Sequence, residues 1–323
     1  MTQQVLLWGL FAVLIVVCLA IDLRLGSKRT GRMSVRTAAI WSVVWIALSM
    51  AFAFVIGVYQ GTKPALLYVT GYWVEKALSV DNMFVFIMVF AYFSTADEDQ
   101  PRVLKWGILG AVFFRGVLIA IGAWLIQRFD WILYVFAALL LWAAWKMVTH
   151  GDEKIEPEKN PVLRFARRLF PIVDRYEGHH FITREGGKWH GTALLIVLIV
   201  VESTDVMFAL DSIPAIYAIT TPARLQGVIT ASQEVFIVFT SNIFAILGLR
   251  ALFFVLAGIM DMFRFLKMGV AAILGFVAVK MIAHKFVHIP IWASLGTIAA
   301  ILVASIVASI AIKSKPAPPS PGL

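Results

Sequence analysis

Five carboxylates fall in stretches otherwise built for lipid. Glu75 and Asp81 lie inside the apolar run 64–93, and Glu202, Asp205 and Asp211 inside 191–219. An acid at the centre of a spanning helix costs roughly 2.5–3.5 kcal/mol to insert. Five standing alone would cost roughly 12–18 kcal/mol, as much as a domain's whole net stability of about 5–15 kcal/mol. Such groups must be paired, protonated, hydrated or bound to metal. Lys76, Arg115, Arg250 and Lys280 are the cations within apolar runs. Lys280 is expected at a helix end, where it can snorkel, and Lys76 points about 100° away from its neighbour Glu75. Arg115 and Arg250 are therefore the expected supporting ion pairs, which leaves about three acids without a counter-charge.

The remaining side chains are rich in oxygen. Ser79, Asn82, Ser203, Thr204, Ser212 and the run Thr240-Ser241-Asn242 can add neutral ligands, although helix packing is the commoner role of each hydroxyl. Carboxylate, amide, hydroxyl and carbonyl oxygens suit Mg, Ca or Mn. Met83 and Met207 would add a softer ligand and tilt the choice toward manganese; packing is the commoner role here too. In an ideal helix Glu202 and Asp205 share a face, whereas Asp81 lies about 120° around from Glu75, and Asp211 likewise from Asp205. A single site using all five needs a kink. Pro214 is a candidate, because it frees the Leu210 carbonyl beside Asp211, and a freed carbonyl lining a cavity is a ready cation ligand.

The elements that must position these groups are helices in a bilayer. Of 323 residues 61% are apolar and 15% charged, more apolar surface than a soluble domain of this length could hide. Runs long enough to span, roughly 20 residues each, occur near 5–23, 37–57, 64–93, 103–126, 130–149, 191–219, 235–260, 268–284 and 290–312. The expected fold is all-α and polytopic, with about nine transmembrane helices. The first run lacks a basic flank and a small-residue cleavage site, so it is expected to be retained. Cys18 is alone, which excludes an intrachain disulfide and a thiolate-rich metal site.

The net charge of +9 does not point to nucleic acid, because the basic residues are sorted by side. With the N-terminus outside and nine crossings, only Lys63, Arg128, Arg224 and Lys285 face outward. Clusters at 24–36, 102–105, 146–188, 264–267 and 313–315 face inward. This bias predicts the N-terminus outside and the C-terminus in the cytoplasm of a multi-pass protein in the cell inner membrane. The segment 151–190 becomes a cytoplasmic basic loop. Within it, Val162 to Phe170 alternates arginines with apolar residues, either as a short helix on the anionic inner leaflet or as a solvated basic loop. His179, His180 and His190 lack spaced partners for a metal site. Residues 314–323, proline-rich, are expected to be disordered.

The sequence repeats itself. Residues 137–150 align without gaps to 271–284 with half the positions identical, including the ending Lys-Met-x-x-His, and Arg115 corresponds to Arg250. Val74-Glu75 with Asp81-Asn82-Met83-Phe84 resembles Val201-Glu202 with Asp205-Val206-Met207-Phe208 after a three-residue shift. The chain divides accordingly into 1–61 (helices 1 and 2), 64–150 (repeat one, helices 3–5), the loop 151–190, 191–285 (repeat two, helices 6–8), 286–313 (helix 9) and the tail. Each repeat crosses an odd number of times, so the two are inverted, an architecture common in transporters with sites at the repeat interface.

Three strings carry a resemblance: Glu75-Lys76-x-Leu78-x-Val80-Asp81-Asn82-x-Phe84-Val85, Glu202-x-x-Asp205-x-x-Phe208-Ala209-x-Asp211-Ser212-Ile213-Pro214-Ala215, and Phe239-Thr240-Ser241-Asn242-x-Phe244-Ala245-Ile246-Leu247-Gly248-Leu249-Arg250. They resemble the signature blocks of the TerC family, in particular its bacterial Alx-type members. The resemblance implies a metal-pathway role for Glu75, Asp81, Asn82, Glu202, Asp205, Asp211 and Asn242, with Ser79, Ser241, Met83 and Met207 as auxiliaries. It implies a manganese-exporter-like protein with manganese(II) as substrate and no permanently bound cofactor. Residues 222–234 look like an insertion and lack the family's usual Asp-Pro. The partners expected are a divalent metal ion and membrane lipid. Proton exchange on the same carboxylates is compatible with this scheme. The competing expectation is a non-transporting scaffold, assembly or stress-response protein of the tellurite-resistance or redox-modulator kind; a redox enzyme is disfavoured by the single cysteine and the lack of a haem or flavin motif.

Overall fold

The computed structural model describes residues 2–27, 33–129, 131–149, 161–169, 171–173, 175–185, 187–259, 266–283 and 291–311. Among them run α1 (Thr2–Ser27), α2 (Val35–Gln60), α3 (Thr62–Tyr92), α4 (Gln100–Arg128), α5 (Ile132–Thr149), α6 (Pro161–Leu169), α7 (Ala193–Leu225), α8 (Ala231–Ile246), α9 (Leu249–Ile259), α10 (Leu266–Ala283) and α11 (Ile291–Ala311). An antiparallel hairpin, β1 (Ile182–Glu185) and β2 (Lys188–Gly191), lies between α6 and α7. The chain is an all-α polytopic membrane protein. Each of the nine apolar runs is helical, and the run 235–260 is split into α8 and α9.

By length and composition, α1, α2, α4 and α7 can each cross a bilayer; α8 and α9, bent by 46°, would together make a fifth crossing. The apolar cores of α5, α10 and α11 are shorter. α3 is 31 residues long but carries Glu75, Lys76 and Asp81. Val13, Phe54, Phe113 and Trp124 are exposed on outward faces, as side chains meeting lipid should be.

Local chemistry sets the boundaries. Ser34 caps α2 by accepting from the Thr37 amide at 3.3 Å. Thr230 and Gln233 form a reciprocal capping box that starts α8. α2 and α3 meet at Gly61, whose φ of 94° is open only to a residue without a Cβ penalty. α8 stops before Gly248, where φ is 79° and an added Cβ would overlap the Trp45 ring. A helix end leaves its last carbonyls unbonded, and Lys76 Nζ donates to the Ala245 carbonyl at 3.2 Å. Lys76 thus caps the break. α7, by contrast, runs unbroken through Pro214 and Pro222. The kink expected at Pro214 is instead a break at Gly248, because the left-handed glycine ends its helix whereas Pro214 is accommodated within one.

Hydrogen bonds sort the helix ends into two groups. Gln60 donates to Gln4 at 2.8 Å and Gln4 to the Ser232 carbonyl at 3.4 Å, which joins the starts of α1 and α8 to the end of α2. At the other end, Tyr176 donates to the Phe93 carbonyl at 2.8 Å, His179 Nδ1 lies 2.8 Å from Asp99, and Arg102 donates to the His179 carbonyl. The segment 171–192 therefore clasps the α3–α4 turn. α6 is present, with Leu163 buried and Phe165 exposed. Residues 222–234, the apparent insertion, are the end of α7, a turn and the start of α8, held by Arg224 Nε at 2.6 Å from the buried Glu234, which also accepts from Thr221 at 2.7 Å. The tail 314–323 lies outside the described residues.

Helix packing is reciprocal: α3 lies on α8 as α7 lies on α4, while α3 meets α7, α4 meets α8, and α5 runs along α10. Lys280 differs from expectation. It does not snorkel; it is buried and donates to Ser294 of α11 at 2.8 Å. α11 packs along α10 and supplies that partner.

Candidate functional site

Arg115, in the middle of α4, has no exposed surface. Its Nη2 donates to Asp205 Oδ1 at 2.9 Å and its Nε to Oδ2 at 3.2 Å, a bidentate clasp on α7. Its Nη1 donates to Glu75 Oε1 of α3 and, at 3.0 Å, to Asn242 Oδ1 of α8. Asn242 Nδ2 closes the ring by donating to Glu75 Oε2 at 3.3 Å. Four helices are tied at one point where α3, α4, α7 and α8 cross. Gly71 lets α3 come close to α8, since an added Cβ would stand only 3.0 Å from Ser241 Oγ.

Glu202 lies one turn before Asp205 on α7 and is not part of this ring. Its carboxylate rests against Gly110 of α4, so closely that any Cβ there would overlap it. Among the described residues Glu202 Oε2 is buried without a hydrogen-bond partner. Both Glu202 and Asp205 line a small pocket with Met83, Leu104, Ile108 and Arg250, so the shared face foreseen for them is realised. The pocket lies on the Asp99 side of the Arg115 ring, given that its walls come from the later half of α3 and the first half of α4. It has room for little more than a water-sized atom.

Arg250 departs from the expected role. Among the described side chains it pairs with no central acid; its Nη2 donates to the Asp22 carbonyl at 2.6 Å and lies 3.2 Å from Asp22 Oδ1 on α1. Beyond the break at Gly248, α9 packs chiefly on α2 and α3, and Arg250 reaches Asp22 from there. Its Nε and Nη1 are buried without partners among the described residues. Asp211 is half-buried six residues beyond Asp205, with Lys146 of α5 as its nearby positive charge. Six residues of helix span about 9 Å, which sets it apart from the ring. Met83 is fully buried at the pocket but Met207 is 58% exposed, so the two methionines are not equivalent. Ser241 Oγ returns to the Val238 carbonyl of its own helix at 3.3 Å. Ser79 Oγ is buried without a partner among the described residues, and Asn82 is buried. The Asp81 side chain lies outside what is described; its backbone belongs to α3.

The sequence pattern of the integral membrane protein TerC family matches residues 60–317. The chain belongs to the TerC family. It is 46% identical over 308 residues to a protein of Escherichia coli K12 described as a putative membrane-bound redox modulator Alx, covering 92% of each chain. It is 43% identical over 314 residues to the like-named protein of Photorhabdus laumondii, covering 94% of each. An uncharacterised membrane protein of Myxococcus xanthus is 42% identical over 314 residues, covering 97% of this chain and 94% of its own. No solved structure matches.

In this TerC protein Glu75 and Asp205 are held by one arginine, and the described acids are not gathered around one point. Among the described residues no three His, Cys, Asp or Glu side chains converge as a metal shell. Glu75, Asp205 and Asn242 are brought together by Arg115; Glu202 adjoins them; Asp211 stands off. Sequence reasoning missed three participants: Lys76 as cap of the broken helix, Asp22 as partner of Arg250, and Gly110 as the floor beneath Glu202. It also missed a gapless register. Glu75 and Asp81, like Asp205 and Asp211, are six residues apart, and Glu75 and Asp205 do meet across one guanidinium. That spacing was readable without the three-residue shift.

Proposed function

We propose that this TerC protein exports a divalent metal ion, manganese(II) first among candidates, by way of the carboxylates of α3 and α7. The observation that carries the reading is Glu202: a carboxylate in the membrane interior whose buried Oε2 lacks a protein partner among the described residues, facing a pocket that Asp205 also lines. An intramembrane acid so placed is the ordinary mark of an ion pathway. Asp205 shares the pocket, Met83 supplies its one thioether, and Glu75, Asn82, Asn242, Asp81 and Asp211 extend the oxygen donors along α3, α7 and α8. No catalytic group is assigned.

Two features support a transporter architecture. The reciprocal packing of α3–α5 with α7–α10 is what two inverted copies around a pseudo-twofold axis would give. The two groups of helix ends also agree with alternate crossings, in which the Gln60 end is outside and the Asp99 end, with the basic clusters, is cytoplasmic. On that orientation the pocket lies on the cytoplasmic side of the Arg115 ring, the side from which an exporter loads. Flux of manganese(II) into or out of proteoliposomes tests the proposal. Glu202→Gln and Asp211→Asn in folded protein should each abolish flux, and normal flux in both would overturn it.

A second reading takes its support from the Alx relatives, whose description is that of a redox modulator, and from the completeness of the Arg115 ring. A scaffold of that kind would act through the 151–190 loop. Deleting 151–170 would leave metal flux intact in a transporter and abolish function in a scaffold.

A further inference from the structure

We propose that Arg115 is a tethered stand-in for the transported cation: its guanidinium occupies Glu75, Asp205 and Asn242 between transport events and must be displaced when metal binds. The inference rests on the transport reading above and deepens it. A guanidinium stays charged at any physiological pH, so it can stand against these two carboxylates as a metal ion would. Arg115 bonds three of the seven residues assigned to the metal pathway, with four of its bonds directed at them. Asp205 faces both ways, bound to Arg115 and lining the pocket that Glu202 shares. A metal ion entering beside Glu202 would therefore meet Asp205 with the guanidinium already on it. Competition between cation and guanidinium for one carboxylate follows, and it gives a means of release, because the returning arginine expels the ion without a proton.

The role of a competitor and the role of a structural clamp predict opposite signs. Removing a competitor tightens metal binding; removing a clamp loosens it. Manganese(II) chloride is titrated into the detergent-solubilised full chain, with free Mn²⁺ followed by its electron paramagnetic resonance signal. For Arg115→Gln the Kd should fall about tenfold or more relative to the unaltered protein, the loss of about one charge-assisted contact's worth of competition, while turnover in proteoliposomes falls. Arg115→Lys, which keeps the charge but not the bidentate fork, should fall between the two and serves as the folded comparison if Arg115→Gln does not fold. An unchanged or weaker Kd in folded variants overturns the stand-in role and leaves the transport reading intact. If the unaltered protein binds no Mn²⁺ and moves none, the transport reading itself fails, and this inference with it.

Discussion

Changing Asp205 to Asn and, separately, Glu202 to Gln should have opposite consequences for stability and the same consequence for transport. Asp205 accepts two bonds from a guanidinium with no exposed surface, at 2.9 and 3.2 Å. An asparagine keeps one acceptor, turns an NH₂ against the other arginine donor, and removes the charge. Breaking one side of a buried pair in this way costs about 3–5 kcal/mol. Glu202 Oε2 has no such partner among the described residues, so its carboxyl is carried in the membrane interior at a cost of roughly 2.5–3.5 kcal/mol if it stays charged. Glutamine removes that cost while filling the same space against Gly110, and stability should hold or rise. Chemical or thermal unfolding in one detergent, read by tryptophan fluorescence, would measure the difference, and Mn²⁺ flux should vanish in both variants. If Glu202→Gln destabilises the protein as much as Asp205→Asn, Glu202 has a strong partner and the argument for an unpaired acid is wrong. Adding Arg115→Gln to Asp205→Asn should recover part of the loss, since the unmatched cation goes with it.

Four further outcomes follow from particular contacts. Gly110→Ala pushes the Glu202 carboxylate off its floor; Mn²⁺ affinity should drop about tenfold, the equivalent of one modest interaction, with the fold retained by circular dichroism. Gly248→Ala places a Cβ at φ 79° against Trp45, costing about 1–2 kcal/mol for the left-handed backbone and about 1–3 kcal/mol for the overlap, which a lowered melting temperature would register. Tyr176→Phe loses the bonds to the Phe93 carbonyl and Thr95, each worth about 0.5–1.5 kcal/mol; hydrogen exchange and protease nicking across 171–192 should quicken while unfolding of the helices is little changed. Phe52→Ala removes the ring shared by Phe11, Tyr68, Phe236 and Phe244; a cost of about 3–5 kcal/mol and a passive Mn²⁺ leak in proteoliposomes are expected.

What the sequence displayed was whatever depends on near neighbours. Apolar runs of spanning length announce helices because backbone satisfaction in lipid allows little else, and all nine were found. The alternation of arginines with apolar residues left 162–170 open between a short helix and a basic loop, and the structure has the helix Pro161–Leu169. Contacts between remote segments were not visible. Arg250 meets Asp22 across 228 residues of chain, and neither spacing nor type selects that partner over the nearer acids. Gly248 reads as one more small residue in a membrane helix until Trp45 is seen beside it. Arg115 was expected to pair with an acid, but that one guanidinium holds two acids and an amide depends on how four helices cross. The hairpin 182–191 gave little signal, being short, polar and joined by a turn at Gly187.

The Arg115 ring divides the interior into unequal halves, and this asymmetry limits how anything could pass. Toward the Asp99 end lies the pocket with Glu202. Toward the Gln60 end, Trp8 packs on Phe236 at 5.0 Å, Phe52 on Phe244 at 4.9 Å and Phe52 on Tyr68 at 5.8 Å, with Tyr68 bonded to Ser49 at 2.8 Å. These rings come from α1, α2, α3 and α8, so opening that half requires α8 to part from α1 and α2. α8 is also the helix that breaks at Gly248 and is held at its broken end by Lys76 of α3. Asn242 lies on the same helix, between the rings of Phe236 and Phe244. A tilt of α8 about Gly248 would therefore loosen the aromatic half and draw Asn242 from Glu75 in one movement. On the proposed stand-in role, displacing Arg115 would release Asn242 on the helix that carries Phe236 and Phe244, so the charged ring and the aromatic packing share one element.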